Sequence, residues 1–404
     1  MTIPDSDLQP PLDGLLVLDL TRALAGPYCT MMLADLGARV LKIEPGDEGD
    51  STRGLPPHLG QGVSSYFASV NRNKEGIALN LKRAEGVALL RKLVAKADVI
   101  IDNFRPGTME RLGVDYAELR QNVNQRLVSC SISGFGSSGA YAFRSSYDLI
   151  VQAMSGAMSV TGEPGGTPVR LGIPMGDIGA GMYAGNGILA ALHARQHTGR
   201  GRHVEISMLD GMVALLSYMG ANYLNTGSVP GPQGSGHMAN VPYQAFETST
   251  QWIVIAIFGE RYWRETCEVL GILELAEDPR YATAQMRSQN REELLVIIRN
   301  ILKTRPAEQW LDGLLAKRVP CAPINTVDQA LNDPVVLERH MVVETQHPQY
   351  GRARSPGNPV KVDGIRDGIA RPAPVQGEHT EQVLRELLQC SCAQIKSWKK
   401  EGVI

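Results

Sequence analysis

The first 225 residues alternate between short apolar runs and longer amphipathic ones. Leu15-Leu16-Val17-Leu18-Asp19-Leu20 is a continuous apolar stretch of the kind buried in a parallel sheet, where both faces are covered. Pro27 falls where a first helical residue belongs, and Gly37 where a helix ends. Further strands are predicted at residues 40–44, 77–81, 99–104 and 127–133, with a helix near 85–97. This alternation predicts an α/β fold, a layered large domain with a parallel sheet spanning residues 1–225. Residues 226–240 break into a glycine- and proline-rich loop, Gly227-Ser228-Val229-Pro230-Gly231 and onward to His237. Over 241–325, strands at 243–248 and 252–258 precede helices at 262–270, 292–303 and 307–317, the pattern of a smaller α+β domain. Residues 326–404 form a linker with a short strand at 342–344 and a helix at 380–388, long enough to return to the large domain.

Composition narrows the partners. The chain has 404 residues, 43% of them hydrophobic and 20% charged, the make-up of an ordinary globular protein. A formal net charge of −2 argues against nucleic acid, which calls for a basic surface. Six scattered cysteines form no disulfide framework and no usual zinc spacing, which fits a reducing compartment. Met1 to Asp13 lacks the pattern of a secretory leader, and no apolar run is long enough to span a membrane. A cytoplasmic protein without a metal centre is the expectation.

Candidate chemistry centres on Asp177, set among Gly172, Gly176, Gly179 and Gly181 where an apolar run becomes helical. Two readings stand side by side. Asp is a favoured helix N-cap. A carboxylate at a glycine-lined helix entrance, where a large ligand can approach the backbone, is also a covalent nucleophile toward an activated acyl group. Backbone N–H groups at that helix start are candidate oxyanion donors. Asp102-Asn103-Phe104-Arg105-Pro106-Gly107 follows a predicted strand, at the end where open α/β sheets place ligands. It combines an amide, an aromatic face and a guanidinium. Arg22, Lys82, Arg111 and Arg144 stand near other strand exits or loops and suit a phosphorylated ligand, although each alone also reads as a surface charge. Gly134-Phe135-Gly136-Ser137-Ser138-Gly139 matches a dinucleotide fingerprint in letters only, because no helix opens at its third glycine. His193 and His197 lack the glutamate of a zinc-protease motif, and Cys29 reads as a small core residue.

Taken in order, these segments resemble the class III CoA-transferase family (CaiB/BaiF type), which includes formyl-CoA and carnitine CoA-transferases. The resemblance is carried by Val17–Arg22 with Ala25-Gly26-Pro27, Asn71-Arg72-Asn73-Lys74, Asp102 to Gly107, Tyr147-Asp148, Gly176-Asp177, Thr198-Gly199-Arg200-Gly201 and Val241-Pro242-Tyr243. It implies a Rossmann-like large domain and an interlocked, ring-like homodimer. It implies that Asp177 is the catalytic acid and that CoA or acyl-CoA is bound as substrate. The CoA-contacting positions it implies are Arg22, Leu24, Leu79, Asn80, Leu81, Lys82, Asn103, Phe104, Arg105, Arg111, Arg144, Ser145, Tyr147 and Asp148. Leu24 stands where family members carry glutamine, and Ser145 where some carry lysine. Gly234, Gly236 and His237 would belong to a flap that keeps water from the intermediate. The wording around Val169-Arg170 and residues 240–246 resembles the succinate–hydroxymethylglutarate branch. There Arg170 would hold the far carboxylate of a dicarboxylic acid, or else face solvent or a CoA phosphate.

The implied activity is CoA transfer from an acyl-CoA, such as succinyl-CoA, to a small carboxylic acid. A second reading is an acyl-CoA racemase of the same superfamily. Tyr147 disfavours it, because racemases place a histidine there and a phenol is a poor base near neutral pH. A third is a CoA-binding regulator without turnover.

Overall fold

The computed structural model describes residues 8–60, 63–365 and 370–404. Part of the stretch read for a secretory leader, residues 1–7, lies outside them. The described chain separates into two compact units. One comprises Met1–Ala157, Leu171–Leu224 and Asp333–Ile404, the other Met158–Arg170 and Asn225–Asn332.

The first unit is built on six strands: β1 (Leu16–Asp19), β2 (Arg39–Glu44), β3 (Lys74–Ala78), β4 (Val99–Asp102), β5 (Val128–Ser133) and β6 (His203–Ser207). All pair in parallel, in the order β3-β2-β1-β4-β5-β6. This is the doubly wound order of dinucleotide-binding sheets, and its direction reverses between β1 and β4. Side chains alternate across a strand, so each apolar run feeds two cores. Val17, Val40, Val99, Ile101, Val128 and Ile132 face one core, shared with α1 (Ala25–Asp35). Leu16, Leu18, Leu41, Ile43, Ile77 and Ile100 face the other. There they meet Leu89, Leu90 and Leu93 of a helix at Ala84–Val94, then Val383, Leu384 and Ile395 from the C-terminal segment.

Between β2 and β3 lies α2 (Ser65–Asn71), capped by Ser64, whose hydroxyl accepts the Tyr66 N–H at 3.1 Å. After β5 come α3 (Asp148–Met154) and α4 (Met175–Thr198). The α4 glycines serve protein packing. A Cβ on Gly181 would stand 2.5 Å from the Ala25 carbonyl oxygen, and one on Gly185 3.3 Å from the Met32 methyl. The room read as space for a large ligand is filled at Gly181 by α1.

One strand sits earlier than its apolar letters suggested. β3 covers Lys74–Ala78 rather than 77–81, because Lys74 and Glu75 enter the sheet with partners of their own, Asp19 and Arg39. Leu79 to Lys82 are thereby released to the sheet's carboxyl edge.

In the second unit, antiparallel strands Tyr243–Glu247, Trp252–Ala256 and Cys321–Pro323 pack against helices Glu260–Leu270, Arg291–Leu302 and Ala307–Ala316. Phe246, Ile253, Ile255, Trp263 and Trp310 form the centre of that core. Residues 158–170 group with this unit although the chain leaves the first unit only briefly to make them. Among the described residues, no helix is long and apolar enough to cross a membrane.

Candidate active site

Four strand exits of the parallel sheet converge on a cleft of about 100 Å³. Its lining includes Leu20 after β1, Glu44 and Pro45 at the end of β2, Leu79 to Lys82 after β3, and Phe104 after β4, together with Arg22. The Arg22 guanidinium lies 5.6 Å from the Phe104 ring centroid. Asn103 joins the two exits nearest the reversal: its Oδ1 accepts the Arg22 N–H at 2.8 Å and its Nδ2 donates to the Arg22 carbonyl at 2.7 Å. The carboxylate of Asp102 shapes the turn that follows by accepting the Phe104 N–H at 2.8 Å and the Tyr116 hydroxyl. Burial pushes Asp102 up to about 6. The cleft thus combines an aromatic ring, the exposed ammonium of Lys82 and an apolar floor at the end of the sheet where ligands bind in such folds. Arg22, Leu79, Asn80, Leu81, Lys82 and Phe104 are thus brought together, with Asn103 immediately behind them.

Asp177 occupies the first turn of α4, which begins at Met175 and not at the acid itself. Pro174 is the cap and Asp177 makes no capping hydrogen bond, so the capping reading fails. Its carboxylate has no hydrogen-bond or ion-pair partner among the described residues. A first-turn carboxylate is stabilised by the positive end of its helix. Here burial, and then the charge of Asp148, outweigh that effect and raise Asp177 from 3.8 to about 6. Asp148 is itself fixed. One of its oxygens accepts the Gly176 N–H at 2.8 Å and the other accepts Gln152 Nε2 at 2.7 Å. Gln152 Oε1 in turn accepts the Leu171 N–H at 2.8 Å. A Cβ on Gly176 would lie 2.6 Å from Val151 and 2.9 Å from Asp148, so only glycine fits under this clamp. Three of the helix-start donors expected for an oxyanion are taken: Met175 bonds Ile173, Gly176 bonds Asp148 and Ile178 bonds Pro174.

Tyr66 was missed by the sequence reading. Burial, followed by the charges of Asp177, Asp50 and Asp148, raises its phenol to about 12, keeping it a proton donor across the working range. No motif marks it, since a lone tyrosine after two serines has no spacing to read. Only the fold brings it among three carboxylates.

The other expected residues are more dispersed. Arg105 donates to the Ser145 hydroxyl at 2.8 Å, Arg111 to Thr108 at 2.9 Å, and Arg144 lies 4.5 Å from the Tyr141 ring centroid. Tyr147 is 79% exposed, and Leu24 precedes α1 as its cap residue. In the second unit, His237 stacks edge-on against Tyr243 and accepts the Ala239 N–H through Nδ1, at 3.0 Å. Gly234 takes a left-handed φ of 59° and its N–H bonds the Gly162 carbonyl at 2.8 Å, tying the glycine loop to residues 158–170. Gly236 donates to the Gln233 carbonyl at 2.9 Å in the same loop, and Arg170 is exposed in this unit. Among the described residues, no group of three His, Cys, Asp or Glu is placed to hold a metal ion.

The chain thus has a doubly wound parallel sheet with a cleft at its strand-order reversal, and an unpaired carboxylate, Asp177, in the first turn of α4. The chain belongs to CoA-transferase family III, whose profile matches residues 12–380. It is 37% identical over 400 residues to the mouse (Mus musculus) succinyl-CoA:glutarate CoA-transferase, covering 99% of this chain and 92% of that protein. It is 41% identical over 377 residues to the acetyl-CoA:oxalate CoA-transferase of Acetobacter aceti, covering 93% and 95%. A crystal structure of a CAIB/BAIF family protein from Brucella suis superposes with a TM-score of 0.85 at 36% identity, covering 94% of this chain and all of that one. The resemblance read from the motifs therefore holds along the chain, and the parallel α/β architecture it implied is present.

Proposed function

We propose that this CoA-transferase moves CoA from a dicarboxylyl-CoA, such as succinyl-CoA, to a second carboxylic acid, with Asp177 as the group that is acylated. The observation that carries this reading is the Asp177 carboxylate, half-buried, without a protein partner and raised to about 6. Asp177 attacks the thioester carbonyl, forming a mixed anhydride and releasing CoA thiolate. The thiolate attacks the aspartyl carbonyl of that anhydride, releasing the first acid and leaving an aspartyl-CoA thioester. The acceptor carboxylate attacks this thioester, and the returning thiolate then takes the new acyl group and frees Asp177. Each intermediate is an activated acyl species, so activation is conserved through the cycle. The cleft that includes Arg22, Leu79 to Lys82 and Phe104 holds the nucleotide end of CoA. Arg105, Arg111, Arg144, Ser145 and Tyr147 supply its outer contacts. Tyr66, held protonated, donates to the oxygen that gains charge at the acyl carbon.

The relatives named as succinyl-CoA:glutarate and succinyl-CoA:mesaconate transferases support a dicarboxylic acceptor. Arg170 is the residue we assign to its far carboxylate. The loop carrying Gly234, Gly236 and His237 excludes water from the anhydride. The working unit we infer is an interlocked homodimer. It is supported by the exposed Met182, Tyr183 and Leu189 along α4, apolar surface that a second subunit would cover.

The test is incubation with succinyl-CoA and a panel of acids, read by mass spectrometry, with hydroxylamine trapping of the aspartyl adduct. A hydroxamate at residue 177 and new acyl-CoA are expected. Undiminished exchange by Asp177→Asn would end the proposal. Arg170→Met is expected to weaken a diacid acceptor more than a monoacid.

A further inference from the structure

Between β1 and α1 the backbone from Thr21 to Ala23 is held entirely by side chains. Asp19 accepts the Thr21 N–H at 2.9 Å, and Lys42 Nζ donates to the Thr21 carbonyl. Asn103 takes both backbone groups of Arg22. Asp50 accepts the Ala23 N–H with both carboxylate oxygens, at 3.3 and 3.2 Å. Ala23 has φ 63°, a left-handed conformation disfavoured for a residue with a Cβ. The turn is therefore strained and imposed from outside.

The imposing groups are themselves charged and sealed. Lys42 and Asp50 pair at 3.0 Å with neither side chain exposed, and Asp50 also takes the Thr52 N–H and hydroxyl at 3.0 and 2.8 Å. Beside them Lys74 and Asp19 pair at 3.0 Å, also fully buried. Burial alone would raise Asp19, yet Lys74, Lys42 and two threonine hydroxyls bring it down to about 2. Burial lowers Lys74 to about 8 against the pull of Asp19. Buried ion pairs contribute little stability over well-packed apolar residues, because desolvation offsets their attraction. What this one does contribute is a fixed backbone path beneath Arg22, which lines the cleft.

We propose that Asp50, charged against Lys42, is a positioning residue for the thioester substrate: it holds Ala23 in its left-handed turn and so sets Arg22 over the cleft. This rests on the cleft being the CoA site, as proposed above. The side chain of Asp50 touches no substrate; it acts through the Ala23 peptide.

The experiment measures the dissociation constant of free coenzyme A by calorimetry, together with kcat at saturating substrates, for four variants. Asp50→Asn is expected to weaken CoA binding at least tenfold while kcat changes less than threefold. Adding Ala23→Gly to that variant should recover at least threefold of the loss, because glycine adopts the turn without help. Ala23→Val leaves the buried pair intact and should weaken CoA at least fivefold, so the proposal stays testable even if Asp50→Asn does not fold. Phe104→Ala tests the cleft itself. Weakened binding in Phe104→Ala with unchanged CoA affinity in Asp50→Asn and Ala23→Val would overturn this inference and leave the cleft standing. A glycine addition that recovers nothing would overturn it as well. Weakened binding in the Asp50 and Ala23 variants with Phe104→Ala unaffected would overturn the cleft as the CoA site and this inference with it.

Discussion

The raised pKa of Asp177 sets the acid limb of the reaction. A nucleophilic carboxylate must be ionised before it attacks, so kcat/KM for the acyl-CoA follows the ionised fraction in the free enzyme. With the group at about 6, roughly nine tenths of the enzyme is competent at pH 7 and about one tenth at pH 5. Activity therefore falls about tenfold between those values, whereas a carboxyl at 3.8 would lose almost nothing. The sign is fixed by the direction of the shift: reactivity is present above about 6 and lost as pH falls through it. Burial is the larger cause and Asp148 the second. In Asp148→Asn the midpoint should move to lower pH yet remain above 3.8. An asparagine oxygen can still accept the Gly176 N–H, so the helix start keeps its principal tie. Initial rates at low succinyl-CoA, followed by chromatographic separation of acyl-CoA species from pH 4.5 to 8, measure this limb. A flat profile between pH 5 and 7, or a midpoint indifferent to Asp148→Asn, would refute the electrostatic argument.

Two further outcomes follow from the same geometry. Asp177→Asn should abolish transfer yet raise stability at pH 7 by about 1–2 kcal/mol, after allowance for partial exposure. The folded acid resists ionisation, so its penalty is full above about 6 and vanishes below 3.8; thermal melts at pH 7 and pH 3.5 check it, and a variant less stable at pH 7 contradicts it. Gly181→Ala forces a methyl to within 2.5 Å of the Ala25 carbonyl and should cost about 1–3 kcal/mol, read as a lower denaturant midpoint with an unchanged slope.

Strands β1 and β4 were legible because their apolar runs are unbroken and short, and β2 and β5 because apolar residues recur through them. β3 was not, since Lys74 and Glu75 look like loop residues until Asp19 and Arg39 are known to meet them. Arg22, Asn103 and Phe104 were readable because they follow strands directly, whereas Leu79 to Leu81, read as strand, entered only through the family resemblance. What could not be read was any group whose role depends on a neighbour far along the chain. Tyr66 and Asp50 sit in no motif, and their meaning, with that of Lys42 on β2, arises only when segments distant in the chain come together. The assignment of residues 158–170 to the second unit was hidden for the same reason: nothing in their letters points to Gly234.

The second face of the large sheet has a consequence for biosynthesis. Leu16, Leu18, Leu41 and Ile77 are covered in part by Val383, Leu384 and Ile395, which leave the ribosome long after β6. At ordinary translation speeds that interval is roughly ten to forty seconds. Throughout it, a nascent chain would carry a partly bare apolar sheet, so the covering of this face waits on the last helices to emerge.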